Sequence, residues 1–232
     1  NADAFEAMAR SIPLTVLAKH KQQVQQVEAL LFGQAGLLNK PVEGDYPELL
    51  QKEYRFLSRK YGLRPISIPV YFLRMRPVNF PTIRLAQLAM LIVQSSHLFS
   101  KILETRTYKE LRQWFEVTAN DYWHYHYRFD ENSPYREKQL GEAMIDNIII
   151  NTVVPLLFAY GHYHGEQPYK DRALAWLERA APENNQVTRG FAKLGVANKN
   201  AFDSQALLAL KQGYCEHKNC LACSVGNAIL RS

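Results

Sequence analysis

Cys215, Cys220 and Cys223 are the only cysteines of this 232-residue chain, and they fall together close to its end. Thiols clustered in this way either hold a metal or pack a helix. Tetrahedral zinc and iron–sulfur sites need about four ligands. The tail offers three thiols and His217. The spacing C-x4-C-x2-C matches part of the plant-ferredoxin pattern, whose fourth cysteine is remote, and this chain has no fourth cysteine. Three expectations stand side by side: zinc on three thiolates with His217 or another imidazole, an iron–sulfur cluster, or free thiols packing the last helix against the core.

Histidine gives a second set of candidates, because the triplet His-Tyr-His occurs twice, at 124–126 and 162–164. Two imidazoles spaced by two face the same side only on extended backbone; on a helix they diverge. A metal-dependent hydrolase would use His124, His126, His162 and His164 as ligands, with Asp121 or Glu166 as general base. The plainer reading is a pair of aromatic loops rich in His and Tyr. No Gly-rich phosphate loop, G-x-S-x-G elbow or H-E-x-x-H pair occurs, so no catalytic residues are assigned.

The formal net charge of +6 is concentrated in one block. Residues 51–84 carry Lys52, Arg55, Arg59, Lys60, Arg64, Arg74, Arg76 and Arg84 against Glu53 alone, a net +7, so the rest of the chain sums to −1. Tyr54, Phe56, Tyr61, Tyr71, Phe72 and Phe80 are interleaved with these cations. That mixture suits phosphate contact with base stacking, and it equally suits a solvated helix face. Lys52, Arg55, Arg59, Arg74, Arg76 and Arg84 are the candidate anion-binding residues. The last three flank Pro77–Pro81 at an expected helix start, where free amides favour an anion, whether a phosphate or a carboxylate of the fold itself.

Helices must position these groups. Apolar residues recur at helical spacing from Leu14 to Leu31, and Gly33, Gly36 and Pro41 end that segment. Residues 45–62 predict an amphipathic helix with Leu50, Tyr54, Leu57 and Tyr61 on one face and Lys52, Arg55 and Arg59 opposite. Four prolines make residues 63–81 an extended connector, with a short strand around 70–73 as the β candidate. Further helices are expected over 81–104, 108–115, 137–160 (bent at Pro155), 171–180, 184–194 and 204–211, with a loop over 121–134. The fold class is therefore all-α: a single multi-helix, bundle-like domain with a Pro-rich extended connector near residues 63–81.

A hydrophobic content of 47% with 22% charged residues describes a folded globular chain. The longest uncharged stretch, 147–165, carries Asn, Thr, Pro and His, so it reads as a buried helix and no membrane partner is expected. The first ten residues have no apolar signal-peptide region, and the odd cysteine count favours a reducing compartment. The cytoplasm is the expected location.

Several segments give the chain a likeness: Glu28–Gly36 (EALLFGQAG), Arg76–Arg84 (RPVNFPTIR), Tyr122-Trp123 with His126-Tyr127, Ile150–Pro155, Ser204–Leu207 and the cysteine tail. On these the chain resembles an uncharacterised bacterial family, a domain of unknown function found chiefly in Bacteroidetes. The resemblance implies that this chain is the C-terminal part of a longer protein, whose N-terminal region would be a partner and could hold an active site or the missing metal ligand. It implies no known activity. The leading expectation is a non-catalytic domain that binds a polyanion, most simply nucleic acid, through residues 52–84. The alternatives are the metal-dependent hydrolase and a scaffold that docks to the N-terminal region through an exposed apolar patch.

Overall fold

The structure, a computed structural model, describes residues 2–95 and 97–231. It is all-α, as expected, with one short hairpin as the sheet among the described residues. Its contacts gather into two compact units. The first draws on residues up to Leu98 and on Trp114–Gly141; the second draws on Phe99–Gln113 and on the chain from Glu142 onward.

In the first unit, α1 (Ala2–Ser11), α2 (Leu14–His20), α4 (Asp45–Tyr61) and α5 (Pro81–Gln94) accompany a central helix, α3 (Val24–Gln34). Every residue of α3 from Val27 to Gln34 is buried, which its nearly continuous apolar sequence requires. The segment expected as one helix from Leu14 breaks at Lys21–Gln23, between α2 and α3. α4 follows the expected boundaries and ends on Gly62, which takes the left-handed conformation (φ 64°) that glycine adopts without Cβ strain. The connector contains a 3₁₀ turn, Pro77–Asn79, and no strand at 70–73. It is anchored by the Ile66 N–H donating to the Gln34 carbonyl (2.9 Å) and by the Phe72–Phe80 ring contact. The helix expected over 81–104 is two helices, since α5 stops at Ser95; Ser96 lies outside the described residues.

Gly33 explains why a helix-disfavouring residue sits inside α3. A methyl group there would overlap the ring of Tyr54, a buried residue of α4. Gly33→Ala would gain about 1 kcal/mol of helix propensity, but it must displace an aromatic ring from a packed helix crossing. The expected net result is a loss of about 1–3 kcal/mol, read as a lower urea midpoint with unchanged m-value.

The stretch expected as a loop at 121–134 is instead ordered. A 3₁₀ turn, Asp121–Tyr125, runs into β1 (His126–Arg128), which pairs antiparallel with β2 (Glu131–Asn132). Lys138 holds the return strand down. Its Nζ donates to the carbonyls of His124 (3.2 Å) and Arg136 (2.9 Å) and stands over the Tyr127 ring at 4.0 Å. Burial and the neighbouring Arg136 hold the Lys138 ammonium below its ordinary pKa.

The second unit contains α6 (Leu98–Glu104, whose first residue closes the first unit), α7 (Tyr108–Gln113), α8 (Glu142–Ile148), α9 (Val154–Tyr163), α10 (Gln167–Arg179), α11 (Gln186–Lys193), α12 (Ala201–Leu210) and α13 (Ser224–Arg231). A π-turn, Ile149–Val153, joins α8 to α9 just before Pro155, whose missing N–H disturbs the helical ladder there. Glu142–Tyr163 is long and apolar enough by composition to cross a membrane, a property shared with core helices of soluble proteins. Arg112 and the Tyr108 hydroxyl both bond the Asp146 carboxylate, fixing α7 to α8. Asn185 caps α11 in a reciprocal box with Thr188, and Asn200 caps α12.

Candidate functional site

The core of the first unit is organised around a buried acid. Glu28, on α3, is fully buried and accepts hydrogen bonds from the Tyr46 hydroxyl (2.6 Å) and the Trp123 indole N–H (3.1 Å). The Asn120 amide donates in turn to the Tyr46 oxygen (2.7 Å). Burial pushes the Glu28 carboxyl up to about 7, although both donors favour its ionised form. Burial and the neighbouring Glu28 push the Tyr46 hydroxyl up as well. Three segments distant in sequence therefore meet at one carboxylate.

Above this network opens a cleft of about 1120 Å³. One wall is a ladder of rings: Tyr46 stacks on Tyr122 (centroids 4.7 Å, planes 27° apart) and Tyr122 stacks on His126 (3.9 Å, 7°). Phe72 and Phe129 add apolar surface. His126 Nδ1 lies 2.8 Å from the Tyr122 carbonyl oxygen. A carbonyl can only accept, so Nδ1 carries the proton and Nε2 is the basic nitrogen of the neutral ring. Glu43, Asp45, Asp130 and Glu131 line the cleft against Lys40 and Arg128, a net −2.

A surface of opposite sign lies on the exposed face of α4, where Lys52, Arg55, Arg59 and Lys60 surround a shallow hollow floored by Phe56. The i, i+3, i+4 spacing brings these side chains together. Among the described residues none of the four cations has a carboxylate within ion-pair distance. Phe56 is 59% exposed, with the Lys60 ammonium 5.7 Å from its ring centroid. Arg74 and Arg76 are exposed on the connector, Arg74 with a positive φ of 61°. Arg84 has a different role: its guanidinium donates to the side-chain oxygens of Asn79 and Gln87, is half-buried, and has its pKa lowered by that burial. It ties the start of α5 to the turn before it.

The sequence profile of a family described as protein of unknown function (DUF2851) matches residues 1–186. The chain belongs to that family. Comparison of the chain itself with curated proteins and with solved structures found no match. Four of the segments that carried the resemblance lie inside the DUF2851 match, and the first unit gives three of them a physical meaning. Glu28–Gly36 supplies the buried acid and the Gly33 crossing, Arg76–Arg84 turns the connector into α5, and Tyr122–Tyr127 supplies the indole donor and the ring ladder. Ser204–Leu207 and the cysteine tail lie beyond the matched residues.

The remaining candidates are dispersed. His124 is buried, with Nδ1 accepting from the Lys138 backbone N–H (3.3 Å) and Nε2 at 3.8 Å from Asp121. It latches the turn to the return strand. His162 and His164 are exposed at the end of α9, and His164 leans on Tyr160. In the tail, α12 winds into a π-turn, Lys211–Cys215, and a 3₁₀ turn, Cys220–Ala222, precedes α13. Cys215 and Cys220 are exposed, while Cys223 is buried. α13 starts at Ser224, directly after Cys223, and Gly226 lets it lie on the Cys220 backbone. Among the described residues no three His, Cys, Asp or Glu side chains form a group able to hold an ion. Cys215, His217, Cys220 and Cys223 are accordingly not gathered into one such group in this arrangement. An apolar groove occurs within the first unit, lined by Met8, Ile12, Leu14, Leu17, Leu88 and Ile92.

Proposed function

We propose that the first unit of this DUF2851 protein is a non-catalytic module that binds single-stranded nucleic acid through the exposed face of α4. One observation carries the reading: Lys52, Arg55, Arg59 and Lys60 stand together without carboxylate partners around an exposed phenylalanine. A cation that serves the fold can be neutralised inside it, as Arg112 is by Asp146. On α4 Arg55 donates to the neutral Gln51 side-chain oxygen (3.2 Å), and no carboxylate among the described residues neutralises the four cations of this face. Phosphates suit that charge, and a base can stack on Phe56. Arg74 and Arg76 extend the cationic surface along the connector, whereas Arg84 drops out of the binding set.

The test is fluorescence anisotropy with a labelled oligonucleotide at low salt. Arg55→Gln/Arg59→Gln is expected to weaken binding by about tenfold or more, and Phe56→Ala by a similar factor. Both changes are on solvent-facing side chains, so the helical circular dichroism should be retained. A parent protein that binds no oligonucleotide at low salt would remove the reading.

A further inference from the structure

The cleft beside the ring ladder has the opposite electrostatic character from α4, so it cannot serve the same ligand. Its carboxylates arrive from separate parts of the chain: Glu43 and Asp45 from the approach to α4, Asp130 and Glu131 from the hairpin. Helix-dipole compensation accounts for Asp45 at the first turn of α4. It does not account for acids of the hairpin converging on the same space. A phosphate chain would be repelled here.

The cleft also shows how it treats a cation. Arg128, one of its own lining residues, places its guanidinium 5.1 Å from the centroid of the Phe72 ring and 3.7 Å from the Asp130 carboxylate. Ring face and carboxylate together hold the charge, a combination that stabilises organic cations most where water is partly excluded. Rings and carboxylates line the rest of the cleft as well. Tyr46 adjoins Asp45 in the chain, and the ladder that it opens ends on His126, one strand over from Glu131. Neither Asp45 nor Glu131 has an ion-pair partner among the described residues.

We propose that this cleft is a binding site for a small organic cation, an amine or quaternary ammonium compound seated against the Tyr46–Tyr122–His126 ladder and neutralised by Asp45 and Glu131. The site is independent of the nucleic-acid surface. Its volume accommodates a ligand of ordinary metabolite size.

Isotope-labelled protein is titrated with benzyltrimethylammonium chloride, benzyl alcohol and sodium benzoate at constant ionic strength, following the ring signals of Tyr122 and His126 by NMR. The cation is expected to give saturable shifts with a Kd on the order of a millimolar, as a probe of so few atoms allows. Asp45→Asn/Glu131→Gln, at two exposed positions, should weaken it by about tenfold, while Arg55→Gln/Arg59→Gln should leave it unchanged. No saturable shift with the cation overturns the proposal, as does equal binding of the alcohol or benzoate, or indifference to the carboxylate changes. Because the two double variants touch separate surfaces, failure here leaves the oligonucleotide result standing, and the reverse.

Discussion

Trp123→Ala is expected to destabilise the first unit by about 3–5 kcal/mol, the largest effect of any single change considered. The indole is fully buried and packs against Phe32 (5.0 Å between centroids), Phe129 (5.1 Å) and Tyr122 (5.1 Å). Alanine leaves a cavity among rings that hold one another in place, and it removes a donor from buried Glu28. With total stabilities of about 5–15 kcal/mol, such a loss consumes much of what keeps a domain of this size folded. Urea denaturation followed by far-UV circular dichroism should show a lower midpoint. Trp123→Phe keeps most of the apolar surface and should lose much less. A midpoint unchanged in the alanine variant would mean that the ring cluster is not the core of this unit.

The second large effect depends on pH. Burial penalises the charge of Glu28 and pushes its carboxyl up to about 7 from an ordinary value of 4.5. Between these values the folded protein holds a proton that the unfolded chain has released, so stability falls as pH rises through this window. Below about pH 4.5 both states are protonated, and above about pH 7 both are ionised, so the loss is confined to the interval. A shift of this size corresponds to about 3 kcal/mol. Glu28→Gln cannot titrate. The difference in stability between parent and variant should therefore move in the variant's favour by roughly that amount from pH 4.5 to pH 7.5, in urea titrations at each pH. A difference that stays constant across the interval would show that Glu28 is already ionised, or already wet, in the folded protein.

Much of the architecture is legible because local signals and tertiary demands agree. α4 reads directly from its apolar face and from Gly62, and α5 starts at Pro81 because proline suits a first helical turn. The basic face was legible for the same reason: periodicity places Lys52, Arg55 and Arg59 opposite the buried side. What escaped the sequence depends on pairs far apart in the chain. Glu28 and Trp123 are separated by 95 positions, and the one local sign of their meeting is an acid inside the apolar run Val27–Phe32. Strands of three and two residues give no alternation to detect, so the hairpin at 126–132 read as a loop, and its fastening by buried Lys138 was invisible. The cleft went unseen because its ladder combines Tyr46 with Tyr122 and His126, which only the fold brings together. The cysteine cluster was legible in the sequence but its geometry was not, since turns of different pitch separate the three thiols and leave them ungrouped among the described residues.

Whether the cations of α4 meet phosphate can be read from how binding responds to salt. The direct measurement is the salt dependence of oligonucleotide affinity between low and physiological ionic strength. Four phosphate contacts to a single strand predict a log–log slope of about −3, and Arg55→Gln/Arg59→Gln should flatten it by about 1.4. Binding without that slope, or a slope that the double variant leaves unchanged, would contradict the assignment of this face to nucleic acid.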